Sequence, residues 1–241
     1  MSTLLWLALP YIALTSFLVG HVWRYRHDQF GWTTRSSQMH ESRLLRMGSP
    51  LFHFGLLAVI GGHVLGLLVP KSWTEFFGIS EGMYHLVSVT AGTLAGVATV
   101  AGLAILLYRR FTVSAVRQAT TRGDKVMYAL LAAAIVTGMF NTVGENLIGG
   151  GYDYRSSVSV WFRGLFTFSA RPELMAGTPL SFQVHNVTVL VLLGIWPYTR
   201  LVHVFSAPLG YLVRPYVVYR SRDPQRPDAN RYARAWGDQH E

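Results

Sequence analysis

The sequence contains no cysteine. That excludes a disulfide framework, thiolate metal sites and an iron–sulfur cluster held by this chain. Charge is also scarce, at 14% of residues, and acids are the scarcer sign, 12 Asp and Glu against 21 Lys and Arg. So little charge beside 51% hydrophobic residues fits a polytopic helical membrane protein. No separate soluble domain is visible in the composition. The formal net charge of +9 would suit a nucleic-acid partner. The bases sit between apolar segments, however, and nucleic acid is excluded as a partner. The first apolar segment is too long for a typical cleaved signal and shows no clear small-residue cleavage site, so it is expected to stay as a span.

Five long apolar runs are present, at about residues 3–22, 50–69, 83–108, 126–143 and 180–207. Each can cross a bilayer as a helix. The expected fold is all-α, with five transmembrane helices. All but four of the 21 Lys and Arg fall in residues 24–48, 109–125 and 200–234; the exceptions are Lys71, Arg155, Arg163 and Arg171. The positive-inside rule then places the N-terminus outside and the C-terminus in the cytoplasm, in a multi-pass protein of the cytoplasmic membrane. Residues 1–220 are read as the membrane domain. Residues 221–241, rich in Pro and charge, are read as a polar cytoplasmic tail, partly disordered without a partner.

The chain is organised around SPLFHFGLLAVIGGHVLGLLVP, residues 49–70, which carries His53 and His63. The fifth run carries His185 and His203. Four imidazoles at membrane depth are costly unless something binds them. Neutral imidazole is the natural axial ligand of a buried haem iron, so two pairs would hold two b-type haems, each six-coordinate. Antiparallel spans pair His63 with His185 and His53 with His203. On straight helices the two spacings, 10 and 18 residues, would be roughly 15 Å and 27 Å long. Two tilted haems average these to roughly 21 Å, and Pro197 can kink the second span. Gly55, Gly61, Gly62 and Gly66 leave room for a flat ring. The alternatives are histidines that bond neighbouring helices, or a haem-free transporter or anchor using them for protons or a metal.

Other residues carry weaker signals. His21 is read as interfacial. Gly92, Gly96 and Gly102 suit close helix packing. Asn141 and Glu145 are expected near the outer surface, in contact with solvent. The loop around Trp161, Phe162, Leu165, Phe166 and Phe168 reads as a helix lying on the membrane, or as the roof of a site.

RSSQM (35–39), LFHFG (51–55), GHVLG (62–66), ATTRGD (119–124) and RLVHVFSAP (200–208) occur in this order. Together with the histidine spacing they resemble the gamma subunit family of respiratory nitrate reductase, over residues 1–220. The resemblance implies a di-haem cytochrome b that oxidises quinol near the outer face. Electrons would then pass from the outer haem (His63, His185, with Gly62 beside it) to the inner one (His53, His203). They would continue to an iron–sulfur (beta) subunit and to a molybdenum (alpha) subunit that reduces nitrate. Members carry a basic or polar group at the start of segment three that serves the quinol. This chain has Tyr84 and His85 there and no lysine, so these two are the candidate quinol residues. A related di-haem subunit feeding another reductase is the remaining reading.

Overall fold

The computed structural model describes residues 2–33 and 36–206. Among them there is no strand, and five helices are long and apolar enough to cross a membrane. These are α1 (Leu4–His27), α2 (Arg43–Leu68), α4 (Glu81–Thr112), α6 (Arg122–Ile148) and α9 (Leu180–Tyr198). Between them lie the short helices α3 (Lys71–Phe76), α5 (Ser114–Gln118), α7 (Val158–Phe166) and α8 (Pro172–Ala176). The expected tail at 221–241, together with the bases from Arg214 onward, lies outside the described residues.

Local chemistry sets the ends of these helices. Ser80 caps α4 by accepting from the Met83 N–H. Thr121 and Asp124 form a reciprocal capping box on α6, each side chain accepting from the other's backbone N–H. Pro50 sits within α2, near its start. Small residues then let the spans approach. A Cβ on Gly102 would come within 2.6 Å of the Phe52 Cα, and one on Gly55 within 2.8 Å of the Thr99 N. The α2–α4 contact is therefore backbone against backbone, the packing that small residues permit in membranes. Gly102→Val is expected to overpack this contact by about 1–3 kcal/mol. The thermal midpoint of the purified chain should fall. Gly123→Ala, whose Cβ meets nothing nearer than 3.9 Å, should leave it in place.

The closely packed neighbours form an open series: α1 on α9, α9 on α6, α6 on α4, and α4 on α2. One apolar core joins Trp6 and Ala13 of α1 to Trp161 and Leu165 of α7, Met175 of α8 and Phe182 of α9. The other joins Phe52, Leu103, Met127, Leu131 and Leu192 from α2, α4, α6 and α9. α1 and α2 end the series; α2 and α9 pack little on each other directly, and α2 meets α9 and the 3-10 stretch that follows it at their histidines.

Several of the arginines counted for orientation turn inward. Arg24 is buried and donates to the carbonyls of Pro197 (2.6 Å), Thr199 (2.9 Å) and Gly31 (2.8 Å). Buried Arg109 donates to Glu41 Oε2 (2.6 Å), Ser37 Oγ (2.8 Å) and two backbone carbonyls. Desolvation pushes the Glu41 carboxyl up. Hydrogen bonds from the Leu44 N–H and Arg109 outweigh it and hold the group below the usual carboxylate range. Arg110 is buried over the Tyr128 ring. These side chains fasten loops, so they are not free to meet a partner; Arg26, Arg43, Arg46, Arg117, Arg122 and Lys125 remain exposed.

Candidate functional site

The four histidines come together in the expected pairs. The His63 and His185 rings are 6.1 Å apart, centroid to centroid, and the His53 and His203 rings 6.2 Å. A metal–imidazole bond is about 2 Å long, so two imidazoles on opposite sides of one metal hold their ring centroids roughly 6 Å apart. Both pairs meet that spacing. Among the described residues, no three His, Asp or Glu side chains converge on one point; the imidazoles come in twos.

Each ring is held by its Nδ1. His53 Nδ1 lies 2.7 Å from the Ser49 carbonyl, His63 Nδ1 2.8 Å from Val59, and His203 Nδ1 2.6 Å from Arg200. A carbonyl only accepts, so Nδ1 carries the proton and Nε2 keeps its lone pair. His185 reaches the same state differently. Its Nδ1 lies 3.1 Å from Thr137 Oγ1, whose own proton goes to the Ala133 carbonyl at 2.7 Å. The four rings thus present four Nε2 lone pairs, the donor set that a bis-imidazole iron requires.

The structure corrects the span geometry. α9 is α-helical only to Ile195; a 3-10 turn at Trp196–Tyr198 and an extended Thr199 precede a second 3-10 stretch, Arg200–Ser206. His185 and His203 are therefore not five turns apart on one straight helix. The kink expected at Pro197 is present as this break, and it lets a spacing of 18 face a spacing of 10.

The glycines divide. Nothing lies within 4 Å of a Cβ added at Gly61 or Gly62, beside the exposed His63, whereas Gly55 is occupied by Thr99 and Gly66 by Tyr154. Gly138 was missed by the sequence reading: a Cβ there would stand 3.1 Å from His185 Cε1. Thr137-Gly138 is a polar-small pair inside an apolar run, and that was the available signal.

Tyr84 and His85, at the start of α4, line a half-open cavity of about 250 Å³ together with residues 150–155. Gly62 and His63 are not among its walls. The Tyr84 and Tyr154 hydroxyls are 3.1 Å apart. Burial first, and the hydrogen bond to Tyr84 second, push the Tyr154 phenol far above its ordinary range, so it keeps its proton. His85 Nε2 is buried without a partner and faces Gly151, whose φ is +92°. A side chain at Gly151 would be strained and would press on that nitrogen.

Two weaker expectations are revised. Trp161 is buried in the core, 1% exposed, and its indole N–H donates to the Trp6 carbonyl at 2.7 Å. α7 thus packs on the core through Trp161 and Leu165 while Phe166 and Phe168 stay exposed, and Trp161 and Phe162 do not line the cavity. Asn141 is buried rather than solvated, and Glu145 accepts from the Ser181 hydroxyl at 2.7 Å. His21 lies among Phe17, Trp32 and Phe205.

Fold and site together define a five-helix membrane protein in which α2 faces α9 and the 3-10 stretch after it through two levels of paired imidazoles. The family model for the nitrate reductase gamma subunit matches residues 2–222. The chain is 47% identical over 219 residues to the nitrate reductase gamma chain of Bacillus subtilis, covering 91% of this chain and 98% of that one. It is 33% identical over 214 residues to the respiratory nitrate reductase 2 gamma chain of Escherichia coli, covering 88% and 94%. The chain belongs to the nitrate reductase gamma subunit family. It is also 54% identical over 224 residues to the nitrate reductase-like protein NarX of Mycobacterium tuberculosis; that match covers 92% of this chain but 34% of NarX, so the chain spans about a third of that relative's length.

Proposed function

We propose that this chain is the membrane cytochrome b subunit of a nitrate reductase. In this reading it holds two haems b, oxidises quinol near the outer face of the cytoplasmic membrane, and delivers electrons to an iron–sulfur subunit on the cytoplasmic side. A molybdenum subunit then reduces nitrate. One observation carries the proposal: two imidazole pairs at 6.1 and 6.2 Å, at two levels, joining α2 to α9 and to the 3-10 stretch Arg200–Ser206. Family membership supports it, and the distribution of basic residues orients it.

His63 and His185 would hold the outer haem, and His53 and His203 the inner one. A haem held by each pair would supply one-electron transfer. The protein's own residues do the rest. Four Nδ1 hydrogen bonds fix the rings before any group binds, and open space at Gly61 and Gly62 admits a flat macrocycle. The cavity at Tyr84 and His85 takes the quinol. Tyr84 hydrogen-bonds one hydroxyl, and His85, with an unpartnered Nε2, takes a proton.

The test is haem content with matched activities. The purified chain should give a b-type reduced-minus-oxidised spectrum and two haems per chain by pyridine haemochrome; a ratio well under two in a fully loaded preparation would overturn the reading. His85→Leu should lower quinol-driven nitrate reduction by about 100-fold or more. It should retain both haems and the rate with a soluble electron donor that feeds the partner subunits directly.

A further inference from the structure

Arg155 stands out among the cavity's walls. Its side chain is 2% exposed, yet its compensation is loose. Nη1 lies 3.4 Å from Glu81 Oε2, and that carboxylate is shared with Lys71 at 3.4 Å. Lys71 also reaches Asp153, at 3.5 Å. Nη2 donates to Thr74 Oγ1 at 3.0 Å. Nε is buried with no partner. The guanidinium carbon sits 3.9 Å above the centre of the Tyr84 ring. Charge-assisted N–H···O bonds normally close to about 2.7–2.9 Å, and a buried cation with one distant, shared carboxylate is incompletely satisfied. Buried polar groups find partners; Arg155 lines the cavity, and a ligand oxygen at that wall would complete the partners its guanidinium lacks.

Resting on the quinol reading above, we infer that Arg155 is a further catalytic group of that site: it binds a quinol oxygen and favours its deprotonated form. The step is a proton transfer. The quinol O–H bond breaks, an N–H bond forms at His85 Nε2, and the resulting oxyanion is held by the guanidinium. Tyr84, under the guanidinium and bonded to Tyr154, sets the plane in which the ring can enter. The charged and titratable groups facing this point are Glu81, Lys71, Asp153, Tyr84, Tyr154 and His85. The two acids and two bases offset each other, so the unpaired donor and not net charge sets the preference.

The experiment uses the whole membrane-bound complex with menadiol as donor and reduced viologen as the bypass. Arg155→Gln should lower kcat/KM for menadiol by about tenfold or more, the worth of one hydrogen bond to a charged group. It should also move the acid limb of that pH profile upward, with both haem spectra and the viologen rate unchanged. Arg155→Lys should recover part of the rate and return the limb towards its original position. A full menadiol rate in Arg155→Gln, beside a lost rate in His85→Leu, overturns the inference and leaves the quinol reading standing. Full rates in both overturn the two together. If Arg155→Gln does not assemble, Glu81→Gln replaces it. That change frees the guanidinium of its shared carboxylate and should move the acid limb downward; an unmoved limb overturns the inference.

Discussion

Alanine at His63 is expected to remove one haem b and leave the other, and alanine at His185 to remove the same one. Alanine at His53 or His203 should remove the second. The haem-to-chain ratio should fall from two to about one in all four variants, with the same spectral component missing within each pair. The expectation follows from ring centroids 6.1 and 6.2 Å apart and from Nδ1 atoms already engaged. Removing one imidazole leaves its partner facing apolar surroundings with a single lone pair to offer, and an unmatched polar group at membrane depth is costly. The effect on electron delivery is total for either pair, because the two levels act in series. Quinol-driven nitrate reduction should therefore be lost in each variant while the bypass rate persists. A missing component shared between His63→Ala and His203→Ala would show that the pairing is wrong.

Much of this was legible in the sequence for a physical reason. Apolar runs of membrane length can only be helices, because backbone groups in lipid must bond within their own segment. Imidazoles inside such runs are rare enough to be informative singly and more so in pairs. Antiparallel threading then matched His63 to His185 without any structure. The limits were equally physical. The break at Thr199 depends on where the backbone near Pro197 finds partners, and Arg24 supplies one from another span. The glycines of α2 looked alike, yet Gly55 and Gly66 are taken by Thr99 and Tyr154, while Gly61 and Gly62 stay open. Which face a glycine turns to is decided by the neighbouring helix. Arg155 was counted only as a loop charge, because nothing local to it announces burial beside Tyr84. Trp161 looked like a membrane anchor because an indole suits an interface; its N–H instead found the Trp6 carbonyl in the core.

Asp124→Ala is expected to remove the His53–His203 haem selectively. Asp124 accepts two bonds from Arg200, Nε to Oδ1 and Nη2 to Oδ2, each 2.8 Å, and the side chains are 5% and 10% exposed. The same arginine's carbonyl takes the His203 Nδ1 proton at 2.6 Å. The pair thus fixes the first residue of the short 3-10 stretch that carries His203, just after the break at Thr199. Truncating one partner of such a buried bidentate pair costs about 3–5 kcal/mol, because the other charge stays buried alone. Asp124 also closes the capping box of α6, so about 1 kcal/mol more is lost there. The strain falls on Arg200 and its neighbours. α9 between Leu180 and Ile195, which positions His185 against Thr137, is not held by this pair. One haem should therefore go while the other stays, with the loss read from the reduced-minus-oxidised spectrum. Asp124→Ala with Arg200→Ala removes both charges and keeps the Arg200 carbonyl in the backbone. This double variant should recover a substantial part of the lost haem, since deleting a buried pair together is often close to neutral. Equal loss of both haems in Asp124→Ala would mean that the pair supports the whole bundle, and full retention would mean that His203 is positioned by something else.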